Sequence, residues 1–479
     1  MNLIPASTAL ALCATLLAGG LVPGRAAAQG FAAAYTQPNT GPVPFAQAAA
    51  SGAYSITPEG ALWRVLPSVS GDPLLEVLLP PGVSGHPTLA ERFKLQFPLN
   101  IGKIPVARRA MVLGFHHFGV SEQALFNPNT KLPMICQQRG WLLLAPFGLV
   151  DTNFANEPSQ RALEAVLAFV DKYFDWNTER IYAVGFSMGG LNALSFGLRH
   201  QDPGSYRLAG LVSHVGTVDP IYAYNTGPLN LQLLMQNPLV FGGTPTSVPF
   251  NYERVTAGRI NAGNAIDVNL APSANLLDTR VYLSINQNDP ETGLKTQNDA
   301  LASYLSSKGL DLLVNKYSGP VLHSWSTLDD VAACNWLESG LAPGAAPING
   351  PPVEIFADRP ARYRFTEVRA LSPARVARYS VVLGSAGSNS FGVLGTRNLL
   401  ELALDVGQLG LQTGQTLSFT TWSTDGTAPT FVIEDFPQTP SSIQVNGLAP
   451  ASWAYDPASK ELAIRPTSNG AFATVVIAP

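Results

Sequence analysis

The chain shows three textures in turn along its length. From Ala61 to Phe97, short apolar runs at Ala61–Leu66, Leu74–Leu79 and Phe93–Phe97 are separated by turn residues such as Ser70-Gly71-Asp72-Pro73 and Pro80-Pro81-Gly82. That pattern predicts strands joined by tight turns. From Ala110 to Leu337, apolar runs alternate with helical periodicity. Strands are predicted at Ala110–Phe115, Trp141–Ala145, Ile181–Val184, Leu208–Val212, Arg280–Ile285 and Leu312–Tyr317. Between them the period predicts a helix near the end of Glu122–Arg139 and one over Ser159–Phe174, with Leu163, Val166, Leu167 and Val170 on one face. Two more are predicted over Gln297–Ser307 and Thr327–Leu337. Such alternation predicts an α/β fold with a mostly parallel sheet and helices on both faces. Beyond Pro352 the period becomes two: Tyr363 and Phe365, Leu417 and Phe419, Trp453 and Tyr455, Leu462 and Ile464, Phe472 and Val476. This predicts a small all-β domain of the sandwich kind. Its rings Trp422, Trp453 and Tyr455 are expected chiefly in the core, the usual place for large aromatics, with a polymer-gripping face as the alternative.

These textures suggest boundaries. Residues 1–28 read as an export signal and 29–338 as the α/β domain, within which 219–278 has weak periodicity and reads as a lid or insertion. Residues 339–352 are Pro-, Gly- and Ala-rich and read as a linker; 353–479 form the β domain, an accessory module. The signal rests on the apolar stretch Leu10–Val22 followed by Arg25-Ala26-Ala27-Ala28-Gln29, with small residues at Ala26 and Ala28 that fit cleavage after Ala28. The run is short for a membrane span. The expected location is secreted or periplasmic, without stable membrane insertion.

Composition narrows the classes. A 479-residue chain with 46% hydrophobic residues can bury a large core and more than one domain. Net charge is −4, charged residues make up 13%, and no basic run offers a nucleic-acid footprint. No cluster of His, Cys or carboxylates has metal-ligand spacing, so neither a metal nor an organic cofactor is expected. The sequence does not fix an oligomeric state.

The chemistry gathers around Arg180–Leu194. An apolar, β-prone run ends in Gly185-Phe186-Ser187-Met188-Gly189, and helix formers follow. Gly-x-Ser-x-Gly between a strand and a helix holds a serine on a sharp turn with its hydroxyl exposed. A serine hydroxyl needs a base to take its proton and an acid to orient that base. Asp289 follows the strand at Arg280–Ile285, and His323 follows the strand ending near Tyr317. Only six histidines occur, and His323 is the only one after His214. Glu291 and Asp219 are rivals for the acid. An oxyanion hole would take one backbone N–H from Met188 and one from the loop after Met111–Phe115. Phe118 is the chosen donor there and His117 the next. His116 reads as a structural hydrogen-bonding residue of that loop, while His117 and Trp325 are candidate substrate contacts.

The segments Leu113–Gly119, Arg180–Gly190, Asn288–Pro290 and His323–Trp325 resemble the α/β-hydrolase superfamily, and among its members secreted esterases and depolymerases similar to the polyhydroxyalkanoate depolymerase and feruloyl esterase group. The likeness covers roughly Met111 to Leu337. It implies a triad of Ser187, Asp289 and His323. One departure is His117, where many members carry glycine. In such a fold the helices bearing Cys136 and Cys334 pack on one face of the sheet, so a disulfide between them is expected. The implied activity is cleavage of carboxylic esters, small or polymeric, through an acyl-enzyme on Ser187. A serine peptidase or amidase with the same triad is the alternative, and a non-catalytic binding protein is a third reading.

Overall fold

A computed structural model describes residues 55–66, 74–98, 100–127, 129–340, 352–385, 387–466 and 472–479. The signal segment 1–28 and nearly all of the linker lie outside the described residues. The chain divides into two compact units. The first takes the described residues up to Gly114, with Ser121–Leu149 and Pro158–Asn177; the second takes Phe115–Val120, Val150–Glu157 and everything from Thr178.

In the first unit, β1 (Ser55–Ile56), β2 (Leu62–Leu66), β3 (Leu74–Leu79) and β4 (Glu91–Gln96) form an antiparallel run. The strand β5 (Met111–Phe115) pairs in parallel with β6 (Leu142–Pro146), and β4 joins β6 antiparallel. Both β5 and β6 are buried at every position, as strands covered on two faces must be. The helix α1 (Leu132–Arg139) ends at Gly140, whose φ of 74° closes it in the left-handed region. The longer α2 (Glu157–Tyr173) buries the predicted stripe of Leu163, Val166, Leu167 and Val170. Inside this unit Glu91 is fully buried, and its carboxylate accepts the N–H groups of Phe147, Gly148 and Leu149 at 2.9, 2.9 and 2.6 Å.

In the second unit, β7 (Ile181–Phe186), β8 (Leu208–His214), β9 (Arg280–Asn286) and β10 (Leu312–Tyr317) pair in parallel in that order. The helices α3 (Met188–Arg199), α7 (Thr292–Ser307) and α8 (Asp330–Glu338) follow β7, β9 and β10. Three short helices, α4 (Pro220–Thr226), α5 (Leu229–Met235) and α6 (Pro249–Glu253), occupy the weakly periodic stretch between β8 and β9. The expected α/β architecture is thus present, parallel from Met111 onward and antiparallel before it.

The C-terminal region holds two six-stranded sheets. Their core includes Tyr363, Phe365, Tyr379, Phe391, Phe419 and Phe431. Trp422 and Trp453 are not in it: they are 37% and 45% exposed, so the core expectation fails for both. Trp422 lies on the outward parity of its strand Leu417–Ser423 and stacks on the exposed Phe472 at 5.7 Å.

This region is anchored by more than chain continuity. Asp358 accepts from Arg199 Nε at 3.1 Å and from Arg254 Nη2 at 2.9 Å, and Glu157 pairs with the same two arginines. Asn275 donates to the carbonyls of Leu198 and Phe356 and accepts from Phe356 N–H. Cys136 in the first unit and Cys334 in the second are both buried. Among the described residues no helix is long and apolar enough to cross a membrane.

Candidate active site

Ser187 sits between β7 and α3 with φ 57° and ψ −120°. Left-handed backbone at a non-glycine residue costs of order 1–3 kcal/mol and persists only where its surroundings impose it. Here the surroundings are explicit. The Ser187 N–H donates to the His214 carbonyl at 3.0 Å, and the Ser187 carbonyl accepts from Gly190 at 3.0 Å and Thr217 at 3.1 Å. The flanking glycines are required by contact. A Cβ on Gly185 would overlap the Gly189 carbonyl, and a Cβ on Gly189 would overlap the Phe115 carbonyl.

The expected acid and base, Asp289 and His323, lie after the ends of β9 and β10. His323 Nδ1 lies 2.9 Å from Asp289 Oδ2 and 3.1 Å from Oδ1. Asp289 is buried, and its Oδ1 also accepts the Glu291 N–H at 2.9 Å. The His323 ring rests on Phe186, centroids 4.4 Å apart. The rival acids have other work. Asp219 caps α4 through the Ile221 N–H and takes the Ile260 N–H on its second oxygen; burial pushes its carboxyl upward. Glu291 is exposed and offers its backbone, not its carboxylate, to Asp289.

The expected oxyanion donors Phe118 and His117 lie in the loop after β5. His116 is buried and its Nδ1 donates to the His117 carbonyl at 2.8 Å, which fits its structural reading. Gly119 N–H is committed to the Asp151 carbonyl at 2.9 Å. The Phe118 and His117 N–H groups are the ones left as candidates, and both residues line the same cavity as Met188 at the start of α3. Burial, reinforced by His116 and His323 nearby, pushes the His117 imidazole down to about 4, so it is neutral at physiological pH.

Ser187, Met188, His117, Phe118 and His323 all line one cavity of ≈ 720 Å³. One part of its wall is apolar, with Phe154, Leu231 and Leu234; another carries Thr226, Asn230, Thr292, Thr296 and Gln297. Trp325 does not join them. It is 2% exposed and packs against Phe186 at 5.7 Å, so its place is beneath the site and not against a substrate. The stretch 219–278 contributes only residues between Tyr222 and Leu234 to the lining. Its later part faces elsewhere: Arg254 and Asn275 meet Asp358 and Phe356.

Two residues of the site escaped the sequence reading. Phe154, at φ 46°, lines the cavity from a loop with no motif. His214, at the end of β8, is buried and bonded on both ring nitrogens; a histidine at the end of the predicted strand after the nucleophile was its available signal.

Strand, sharp turn and helix around Ser187, with Asp289 after β9 and His323 after β10, give the chain an α/β-hydrolase fold. No family model matches the chain, and no curated protein matches its sequence. Solved structures similar to it include an S-formylglutathione hydrolase from Agrobacterium tumefaciens, 13% identical, covering 56% of this chain and 96% of that one at a TM-score of 0.41. A ferulic acid esterase is 11% identical over 56% and 97% at 0.40. The carboxylesterase EstE1 from a metagenomic library is 15% identical over 56% and 90% at 0.40. The functional reading rests on the geometry of the site.

Proposed function

We propose that this chain is a serine hydrolase that cleaves carboxylic esters through an acyl-enzyme on Ser187. The observation that carries the reading is the charge-assisted contact of His323 with buried Asp289, with Ser187 and His323 on the wall of one cavity. Asp289 accepts the Nδ1–H of His323 and so leaves Nε2 as the base. His323 takes the hydroxyl proton as Ser187 Oγ bonds to the ester carbonyl carbon. The negative oxygen that forms is held by the N–H groups of Met188 and Phe118; a donor of this kind is worth about 10²–10³ in kcat. The tetrahedral species collapses, the C–O bond to the alcohol breaks, and His323 returns the proton to the alcohol. Water then attacks the acyl group with His323 again as base, and the acid leaves with Ser187 restored.

The cavity is within the range of roughly 300–1,000 Å³ usual for small-molecule sites, and its lining carries no Lys or Arg among the described residues. A neutral ester with an apolar acyl part suits it. A polyester is the polymeric form of that substrate. Leu229 and Leu233 are exposed on the helix whose Leu231 and Leu234 line the cavity, and Val321 and Leu322 are exposed beside His323; these side chains give apolar surface for a longer chain to lie on. Export is the matching location, with a mature chain beginning at Gln29.

Matched chromogenic esters and amides, together with a polyester film, test the reading. Turnover of the esters, with the amides at least about 10²-fold slower, is expected. Amide turnover equal to ester turnover would assign a peptidase or amidase instead. N-terminal sequencing of the exported protein tests the cleavage after Ala28.

A further inference from the structure

We propose that His214 is a positioning residue of the reaction, holding the backbone of the nucleophile and the backbone beside the base at once. The inference rests on Ser187 and His323 forming the reactive pair. The His214 carbonyl accepts the Ser187 N–H at 3.0 Å. Its ring reaches in the other direction. Nε2 lies 3.2 Å from the carbonyl of Ser324, the residue after His323, and 3.0 Å from Thr327 Oγ1. Nδ1 lies 3.0 Å from Ser284 Oγ, on β9.

The network fixes the tautomer. The Ser324 carbonyl can only accept, and the Thr327 hydroxyl already donates to it at 2.8 Å. Nε2 therefore carries the proton, and Nδ1 accepts from the Ser284 hydroxyl. Both nitrogens are used and the residue is fully buried, so an apolar ring in its place would take away the acceptor facing the buried Ser284 hydroxyl and the only donor reaching the Ser324 carbonyl from β8. Burial pushes the imidazole down to about 4, which keeps it neutral and in this tautomer near pH 7.

The loop carrying His323 shows why such an anchor matters. Its start is held by Asn286, which accepts the Gly319 N–H at 3.0 Å and donates to the Pro320 carbonyl at 2.8 Å. Its end is held by His214 through Ser324. Between the anchors lie Val321, Leu322 and His323, with Val321 78% exposed. Loss of the second anchor leaves His323 held by Asp289 and Phe186 alone, with a backbone less fixed relative to a serine whose N–H stays on the His214 carbonyl. Misplacement of a reacting group by about 1 Å costs on the order of 10²-fold.

The test uses the full chain with His214→Phe, His214→Gln and Thr327→Val, assayed on p-nitrophenyl butyrate. For His214→Phe the expected result is a kcat about 10²-fold lower with KM within about threefold of the parent. Gln, which can present a donor near the position of Nε2, should recover about tenfold of that loss, and Thr327→Val should lower kcat a few-fold. In a His323→Ala background, His214→Phe should cost nothing further, because the residue it positions is gone. A folded His214→Phe with parental kcat overturns the proposal, and so does an undiminished loss in the His323→Ala background. Should the Phe variant not fold, the other two decide: reduced kcat at kept KM supports the clamp, and parental kcat in both overturns it. Fluorophosphonate labelling separates the two levels of the argument. A parent protein that does not label at Ser187 removes the hydrolase reading; a labelled parent matched in rate by His214→Phe removes only this one.

Discussion

Replacing Asp358 by Asn should unbalance a buried charge cluster without changing its volume. Asp358 is surrounded by Arg199 and Arg254, with Glu157 as the second anion; the side chains of Asp358 and Arg199 are 5% and 3% exposed. Burial alone would raise the Asp358 carboxyl, but Arg199, Arg254 and Arg359 outweigh it and hold the pKa below the usual carboxylate range. A depressed acid contributes stability above its unfolded pKa of about 3.9 and loses it as pH falls through the folded value, so the whole effect is present at pH 7. With Asn, two cations face one anion in a nearly dry site. Breaking a buried pair in this way costs about 3–5 kcal/mol. At roughly 1 °C per kcal/mol for a chain of this length, the melting temperature at pH 7 should fall by about 3–5 °C. Thermal unfolding followed by circular dichroism reads it, and repetition at a pH near 3 should show a smaller gap between parent and variant. A shift below about 1 °C at pH 7 would refute the claim that this cluster ties the C-terminal region to α2, α3 and the end of α6.

Further outcomes follow from the same structure. Ser187→Ala and His323→Ala should each remove nearly all ester turnover, and the double variant should match the worse single one, since triad members act as a unit; multiplied losses would contradict the assignment. Glu91 is pushed up to about 7 by burial. A raised acid contributes stability below its unfolded pKa of about 4.5 and loses it as pH rises through 7, so Glu91→Gln should gain on the parent by about 3 kcal/mol between those limits in urea titrations; a constant gap would place the Glu91 pKa elsewhere. Thiol titration of the unfolded, unreduced mature chain tests the disulfide expected between Cys136 and Cys334: no reactive thiol would bear it out, and two would refute it.

What the sequence disclosed was governed by how local the constraint is. The turn at Ser187 was legible because Gly-x-Ser-x-Gly between a strand and a helix is a local pattern, although one of its glycines is demanded by the carbonyl of Phe115, distant in the chain. Asp289 and His323 were legible because chain order and the scarcity of histidine left few choices. Trp325 shows the limit: its closeness to His323 in sequence suggested substrate contact, yet its ring turns under Phe186. Trp422 carried a signal that its size obscured. Leu417 and Phe419 point inward, so period-two parity places Trp422 outward. His214 could not have been paired with Ser324 from the sequence, because 110 residues separate them. The division of the stretch 219–278 between cavity wall and sandwich contact was equally invisible, since it depends on which side each short helix meets.

The central claim is a covalent acyl intermediate on Ser187. Rapid acid quench during turnover of p-nitrophenyl butyrate, followed by peptide mass mapping, measures it directly. The account predicts a butyryl mass increment confined to the peptide containing Ser187, absent in Ser187→Ala, with a matching burst of p-nitrophenol. An acyl group mapped to another residue, or ester turnover that survives in Ser187→Ala, would contradict it.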